Sequence, residues 1–351
     1  MRQKLVKLHR WVGLGCGLLI FLVCLSGALL VFEEEITHTL NRDLMLTSEH
    51  PVSFDLLHES AQAQLREGEF VRRIFVPRGR IQVKGPDGNR DLFFSPEDGR
   101  FLGQGSTLMA GVLAFHRRFL LGETGRWLTL LSCLGFLTSL LVGVKLWWPG
   151  RTLKKWKGAL VVKSTASRRR LFLDLHRVLG AYTLLPLLLI AFTGLNYSKM
   201  SDPYRQAIQT LTRSETPAKV KVEKLEGKER ITLEQASNLA SREFPEASLS
   251  CIEPSGKAIK VRFRHKGQPG DFGQSYVLIH PQSGEALQSV NALELPASHR
   301  YTMVWALPLH RGEAFGLLHQ LLWLFLALLG ASLPLTGFWL WYSRGKKRRA
   351  T

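Results

Sequence analysis

Four cysteines in 351 residues leave little for thiols to do. Cys16, Cys24 and Cys133 fall inside long apolar runs and Cys251 stands alone outside them, which excludes a disulfide framework. No nucleotide loop is present either. Gly13-x-Gly15-x-Gly17 lies within an apolar run and follows no strand, so its glycines do not cradle a phosphate. Apart from His319 and Lys145, the apolar runs hold no ionisable side chains of the kind that ion-coupled transporters use. Acidic residues are missing from three stretches that are otherwise strongly basic: residues 1–10, 149–173 and 343–351. These carry 17 of the 19 net positive charges, and the remaining chain, with 30 basic against 28 acidic residues, is nearly neutral. Charge confined to short blocks beside apolar segments argues for contact with lipid headgroups and against nucleic acid.

A mean hydropathy of zero despite 21% charged residues means that apolar and polar residues are segregated along the chain. Four apolar runs, about 11–32, 127–148, 178–197 and 315–342, each reach the roughly 20 residues that a hydrocarbon core of about 30 Å requires. The first exceeds a signal-peptide core and no small-x-small cleavage site follows it, so an uncleaved anchor is expected. Lys and Arg are retained on the cytoplasmic side, which puts both termini and the basic loop inside and the two long loops outside. The expected division is 1–33 (N-terminus and first span), 34–125 (first outer region), 126–148 (second span), 149–174 (basic loop), 175–197 (third span), 198–314 (second outer region), 315–342 (fourth span) and 343–351 (basic tail).

The chain also repeats itself. Leu8-His9-Arg10-Trp11-Val12-Gly13 matches Leu175-His176-Arg177-Val178-Leu179-Gly180, and Ser26-Gly27 matches Thr193-Gly194, all at an offset of 167. Phe115-His116-Arg117 matches Leu309-His310-Arg311, and Gly143-x-x-Leu146-Trp147-Trp148 matches Gly337-x-x-Leu340-Trp341-Tyr342, both at an offset of 194. The 27-residue difference is absorbed by the longer second outer loop. Each half reads as span, outer region, span, in parallel tandem duplication. The outer regions are alike too. A helix is expected after Ser53 and another after Thr232, the latter with a capping box to Gln235. Strand-like runs follow at 70–76, 80–84 and 91–95, and at 257–264 and 275–280, with turns at Asp98-Gly99 and Ser283-Gly284. Two small α+β domains of about 50 residues, near the lower size limit for independent stability, would lean on each other or on the membrane.

Chance placement of 11 His and 29 Arg would give about one His-Arg pair, yet there are five, and four of them, at His9, His116, His176 and His310, correspond between the halves. The topology puts His9 and His176 at the inner face, and His116 and His310 at the outer. Two imidazoles from different helices are the usual axial ligands of b-type haem. Gly13, Gly17 and Gly180 would let a flat macrocycle approach the backbone. Arg10, Arg177, Arg117 and Arg311 would each take a propionate through a charge-assisted hydrogen bond. No Cys-x-x-Cys-His is present for covalent attachment. The plain alternative is that these are interfacial residues and that Gly13-x-x-x-Gly17 is a helix-packing motif. His319 lies about 13 Å from His310 along an unbroken helix and is a second candidate for the outer ligand. Its counterpart in the first half is Gly125.

LHRWVG with Ser26-Gly27, FHRRFLLG with Gly125-Arg126-Trp127, GVKLWWPGR, LHRVLG with Thr193-Gly194, and LHRGEAFG with GFWLWY together resemble the PepSY-associated transmembrane family, which includes bacterial inner-membrane ferrisiderophore reductases. The likeness spans nearly the whole chain, and its outer regions look like PepSY modules. It implies an all-α four-helix membrane core with b-type haem and reduction of a ferric siderophore outside; with the two extracytoplasmic α+β domains and the two His pairs read above, two haem b groups are expected. His319 departs from the family pattern and leaves the outer ligand open between itself and His310. The cytoplasmic segments are too short for a flavin or NADPH domain, so electrons are expected from a separate cytoplasmic reductase or from membrane quinol. The other reading is a cofactor-free anchor whose PepSY modules bind or regulate an envelope peptidase or similar partner.

Overall fold

Backbone groups in hydrocarbon must find their hydrogen bonds within the segment, so long apolar runs become helices. The computed structural model describes residues 1–86, 88–163, 167–215 and 229–349, with backbone alone for 344–349. The side chains of the basic tail, residues 164–166 of the basic loop and residues 216–228 of the second outer region lie outside the described residues. The chain runs through α1 (Arg2–Leu30), α2 (Glu33–Leu40), α3 (Phe54–Gln62), β1 (Phe70–Phe75), β2 (Arg80–Gly85), β3 (Gly88–Phe94), β4 (Phe101–Gln104), α4 (Leu108–Arg118), α5 (Gly122–Trp147), α6 (Leu153–Ala159) and α7 (Arg168–Tyr182). It continues through α8 (Leu184–Gly194), α9 (Ser201–Thr212), α10 (Leu233–Glu243), β5 (Ser248–Glu253), β6 (Ile259–Arg264), β7 (Ser275–Ile279), β8 (Ala286–Val290), α11 (Ala297–His299), α12 (Ala306–Arg311) and α13 (Leu317–Arg349).

The first unit holds Met1–Phe32, Gly111–Ala207 and Ala306–Thr351. Residues 111–125, 198–207 and 306–314, expected in the outer regions, therefore cluster with the helices. Among the described residues three helices are long and apolar enough to cross a membrane: α1, α5, and α13 as far as Ser343. The third apolar run is not one straight helix. It breaks by 63° between α7 and α8, and the pair makes a fourth span only if counted together. Pro186 is the cause, since it has no N–H to give the Tyr182 carbonyl one turn back. Thr183, buried at the break, donates its hydroxyl to the Leu179 carbonyl at 2.7 Å. Within the unit α1 packs on α5 and α13, α7 on α13, and α8 on α5 and α12. Leu140, Leu187 and Leu333 form one cluster of its core.

The second unit, Glu33–Ala110 with Ile208–Trp305, is built on one antiparallel sheet of eight strands in the order β4-β3-β2-β1-β5-β6-β7-β8. The two outer regions are therefore not separate domains. They share a sheet through β1 and β5, where Ile74 faces Ile252 and Phe75 faces Cys251. Alternation along the strands sends Ile81 and Val83 of β2 and Val261 and Phe263 of β6 to one face, where α3 and α10 cover them. Strands β4, β5 and β8 escaped the sequence pattern because FLGQ, SLSCIE and ALQSV carry few β-branched or aromatic residues.

The halves also cap each other's helices. Asp55 on α3 accepts from the backbone N–H of Leu233 at 2.7 Å and of Glu234 at 3.1 Å, at the start of α10. Glu234 returns the contact, accepting from the Phe54 N–H at 3.1 Å while pairing with Arg78 at 2.9 Å. The expected capping box is present, with Thr232 and Gln235 bonding reciprocally at 3.1 and 3.0 Å. At the seam, Glu253 takes both Arg73 and Arg262, at 2.9 and 2.8 Å.

Candidate functional site

The helical unit brings the four corresponding histidines together as two pairs. His9 on α1 and His176 on α7 have ring centres 6.0 Å apart, and His116 on α4 and His310 on α12 have theirs 6.3 Å apart. A metal–imidazole bond of about 2 Å, with the nitrogen about 1 Å from its ring centre, makes an ion between two imidazoles span roughly 6 Å. Both pairs have that spacing. Among the described residues no group of three or more His, Cys, Asp or Glu side chains could hold a metal ion, so each pair offers two nitrogens and no further protein ligand. That donor set suits a macrocycle that fills the other positions itself.

Hydrogen bonds settle which ring nitrogen is available. His116 Nδ1 lies 3.1 Å from the Val23 carbonyl and 3.1 Å from Ser26 Oγ. A carbonyl only accepts, and the Ser26 hydroxyl already donates to the Leu22 carbonyl at 2.8 Å, so Nδ1 carries the proton and Nε2 keeps its lone pair. The second half repeats this residue for residue. His310 Nδ1 donates to the Ile190 carbonyl at 2.9 Å and to Thr193 Oγ1 at 3.1 Å, while Thr193 donates to the Leu189 carbonyl at 2.8 Å. His176 Nδ1 meets Thr336 Oγ1 at 2.8 Å.

Glycine makes room for the rings. A Cβ on Gly27 would lie 3.1 Å from His116 Cε1, and one on Gly194 would lie 3.2 Å from His310 Cε1, both tighter than ordinary contact. A Cβ on Gly143 would lie 3.6 Å from His9 Cε1 and one on Gly337 3.6 Å from His176 Cε1, both in ordinary contact. Apart from Thr336, whose counterpart is Val142, these hydroxyls and glycines appear in the sequence only as marks of repetition. Their constant spacing from the histidines is the signal that points to them.

Around His9 and His176 lies a cavity of about 460 Å³, lined also by Arg10, Arg177, Gly13 and Gly180. Nothing lies within 4 Å of a Cβ built on Gly13, and only Leu333 at 3.9 Å on Gly180, so both glycines border open space. Gly17 differs, since its Cβ would meet Pro334 on α13 at 3.6 Å, which is the helix-packing role. Arg10 Nε is buried without a hydrogen-bond partner on the cavity wall, as expected of a group awaiting an anion. The residues present therefore fit a haem with its propionates near Arg10 and Arg177.

The outer arginines depart from expectation. Arg311 is engaged by Glu313 at 2.6 Å, and Arg117 is exposed. His319 is not beside His116. The helix is broken between His310 on α12 and His319 on α13, and the His319 ring packs on Trp323 at 3.9 Å and Phe315 at 5.1 Å between ring centres. Its counterpart must be glycine because a Cβ on Gly125 would collide with the Arg118 carbonyl at 1.6 Å. The fifth pair, His299-Arg300, lies in the sheet unit.

A family model of the PepSY-associated TM region matches residues 6–344, and the chain belongs to that family. No curated protein matches it.

Proposed function

From that membership and the two imidazole pairs, we propose that the protein is an inner-membrane reductase holding two haem b groups. It carries electrons from the cytoplasmic side or the quinol pool to a periplasmic ferric siderophore, one electron per Fe(III), and releases Fe(II) for uptake. The observation that carries this reading is the repeated spacing of about 6 Å between paired rings, with Nε2 left free to ligate on His116, His310 and His176. Bound haem would supply reversible one-electron chemistry.

His9 with His176 would hold one haem iron and His116 with His310 the other, with His319 the alternative at the outer pair. Arg10 and Arg177 would hold propionates, Arg117 could take one, and Arg311 would have to share its guanidinium with Glu313. Two centres suit a hydrocarbon core of about 30 Å, which a single electron hop does not readily cross. Outer-sphere reduction of a docked chelate asks only for close approach, so no acid, base or nucleophile is assigned. Hard oxygen ligands hold Fe(III) far better than Fe(II), and this lets reduction free the iron.

The core on this reading is four spans, with α7 and α8 forming the third, and both termini are cytoplasmic. The recurrence of imidazole, hydroxyl, carbonyl and glycine at offsets of 167 and 194 is what tandem duplication leaves behind. Absorption spectroscopy of the purified protein tests the proposal, and a dithionite-sensitive b-type spectrum with two haems per chain is expected. A colourless preparation from haem-replete cells would reject it and leave the cofactor-free anchor.

A further inference from the structure

Three of the four paired imidazoles have a hydroxyl at Nδ1, and His9 has none. His9 meets the Ser139 backbone, as His176 meets the Leu333 backbone at the offset of 194, but among the described residues no side chain bonds its buried Nδ1. Across the pair, Thr336 Oγ1 donates its own proton to the Ser332 carbonyl at 3.1 Å or the Leu333 carbonyl at 2.9 Å. Towards His176 it can therefore only accept. The residue that corresponds to Thr336 at the offset of 194 is Val142, whose methyl groups accept nothing.

We propose that Thr336 is a positioning residue for His176 and that the missing hydroxyl at His9 makes the two imidazoles of the inner centre unequal ligands. The inference rests on the haem reading above. An acceptor on Nδ1–H fixes the rotation of the ring and makes Nε2 a stronger electron donor. Stronger donation favours the more positive oxidation state of the bound metal. The His9 ring has no hydroxyl acceptor of this kind to hold it. His176 is thus the strong ligand and His9 the weak one.

The test is a spectroelectrochemical titration of the full-length protein with its haem, comparing the wild type with Thr336→Val, Thr336→Ser and Val142→Thr. Thr336→Val should shift the reduction equilibrium of the inner centre about tenfold towards Fe(II), a rise of about 59 mV for one electron. Thr336→Ser should restore the wild-type value. Val142→Thr, which supplies His9 with the hydroxyl it lacks, should move the inner centre in the opposite direction. Loss of the inner haem in Thr336→Val with retention in Thr336→Ser also supports the proposal. Loss in both, or full haem content with unmoved potentials in Thr336→Val and Val142→Thr, overturns it. A wild type without haem overturns the underlying reading and this inference with it.

Discussion

A histidine at the end of a membrane helix is ordinary; what sets these four apart is the group that each one meets. Ser26 and Gly27 lie 90 residues or so from His116, and their hydroxyl and missing side chain are what fix its ring. Replacing His9 or His176 with Ala should remove one haem of the two and leave the other spectrum intact. His116→Ala or His310→Ala should remove the other one. His319→Ala should keep both, because that ring is packed on Trp323 and Phe315 away from the pairs. Gly27→Leu provides the steric counterpart. Its side chain would drive into His116 Cε1, so haem content should fall from two per chain to one while the inner centre still reduces. Pyridine haemochrome quantitation reads each outcome, and two haems in Gly27→Leu would contradict the packing argument.

At the scale of elements, the sheet unit depends on bonds exchanged between its halves. Asp55→Ala strips two N–H groups at the start of α10 and should cost about 1–2 kcal/mol in thermal or denaturant unfolding. Pairing it with Glu234→Ala should cost more than either change alone. A second anchor, Glu69, lies just before β1 and meets Arg90 of β3 at 2.6 Å, with side chains 9% and 11% exposed. The hydrogen bond from Arg90 holds the Glu69 carboxyl down at about 2. A depressed carboxylate contributes stability that is fully present above its unfolded-state value of about 4.3 and lost as pH falls through the folded value. Melting of the wild type should therefore drop between about pH 4.5 and pH 2, and Glu69→Gln, less stable by about 2 kcal/mol at neutral pH, should show a flatter profile there. Parallel profiles for the two proteins would rule out this pair as an anchor.

At the scale of the molecule, the proposed path runs from one imidazole pair to the other, so the pairs should fail separately. His116→Ala should abolish reduction of a ferric chelate while the inner centre still takes electrons. Chelate reduction at the wild-type rate in that variant would remove the outer pair from the path. The basic blocks make a separate claim about orientation. A reporter active only after export should stay silent when fused after Thr351 and become active when fused after Ala110, and the reverse pattern would invert the topology.

Local physics was legible in the sequence, and partnership was not. Apolar length, basic flanks and the two offsets marked the helices, the histidines and their correspondence, because each depends on neighbouring residues or on a repeat visible in one dimension. The capping box at Thr232 was legible for the same reason, since a cap is written within four residues. The union of the two outer regions into one sheet was not. It depends on β5, whose serines hide it from any pattern, meeting β1 across more than 170 residues. Nor could the sequence reveal the break at Thr183 as a sharp bend, the exchange of caps between Asp55 and Glu234, or which histidine faces His116. Each of these depends on where a helix ends in space and on what stands opposite. The tertiary structure alone set His310 against His116 and packed His319 away between aromatic rings, because the glycine turn from Gly312 to Gly316 divides what the sequence lets one draw as a single helix.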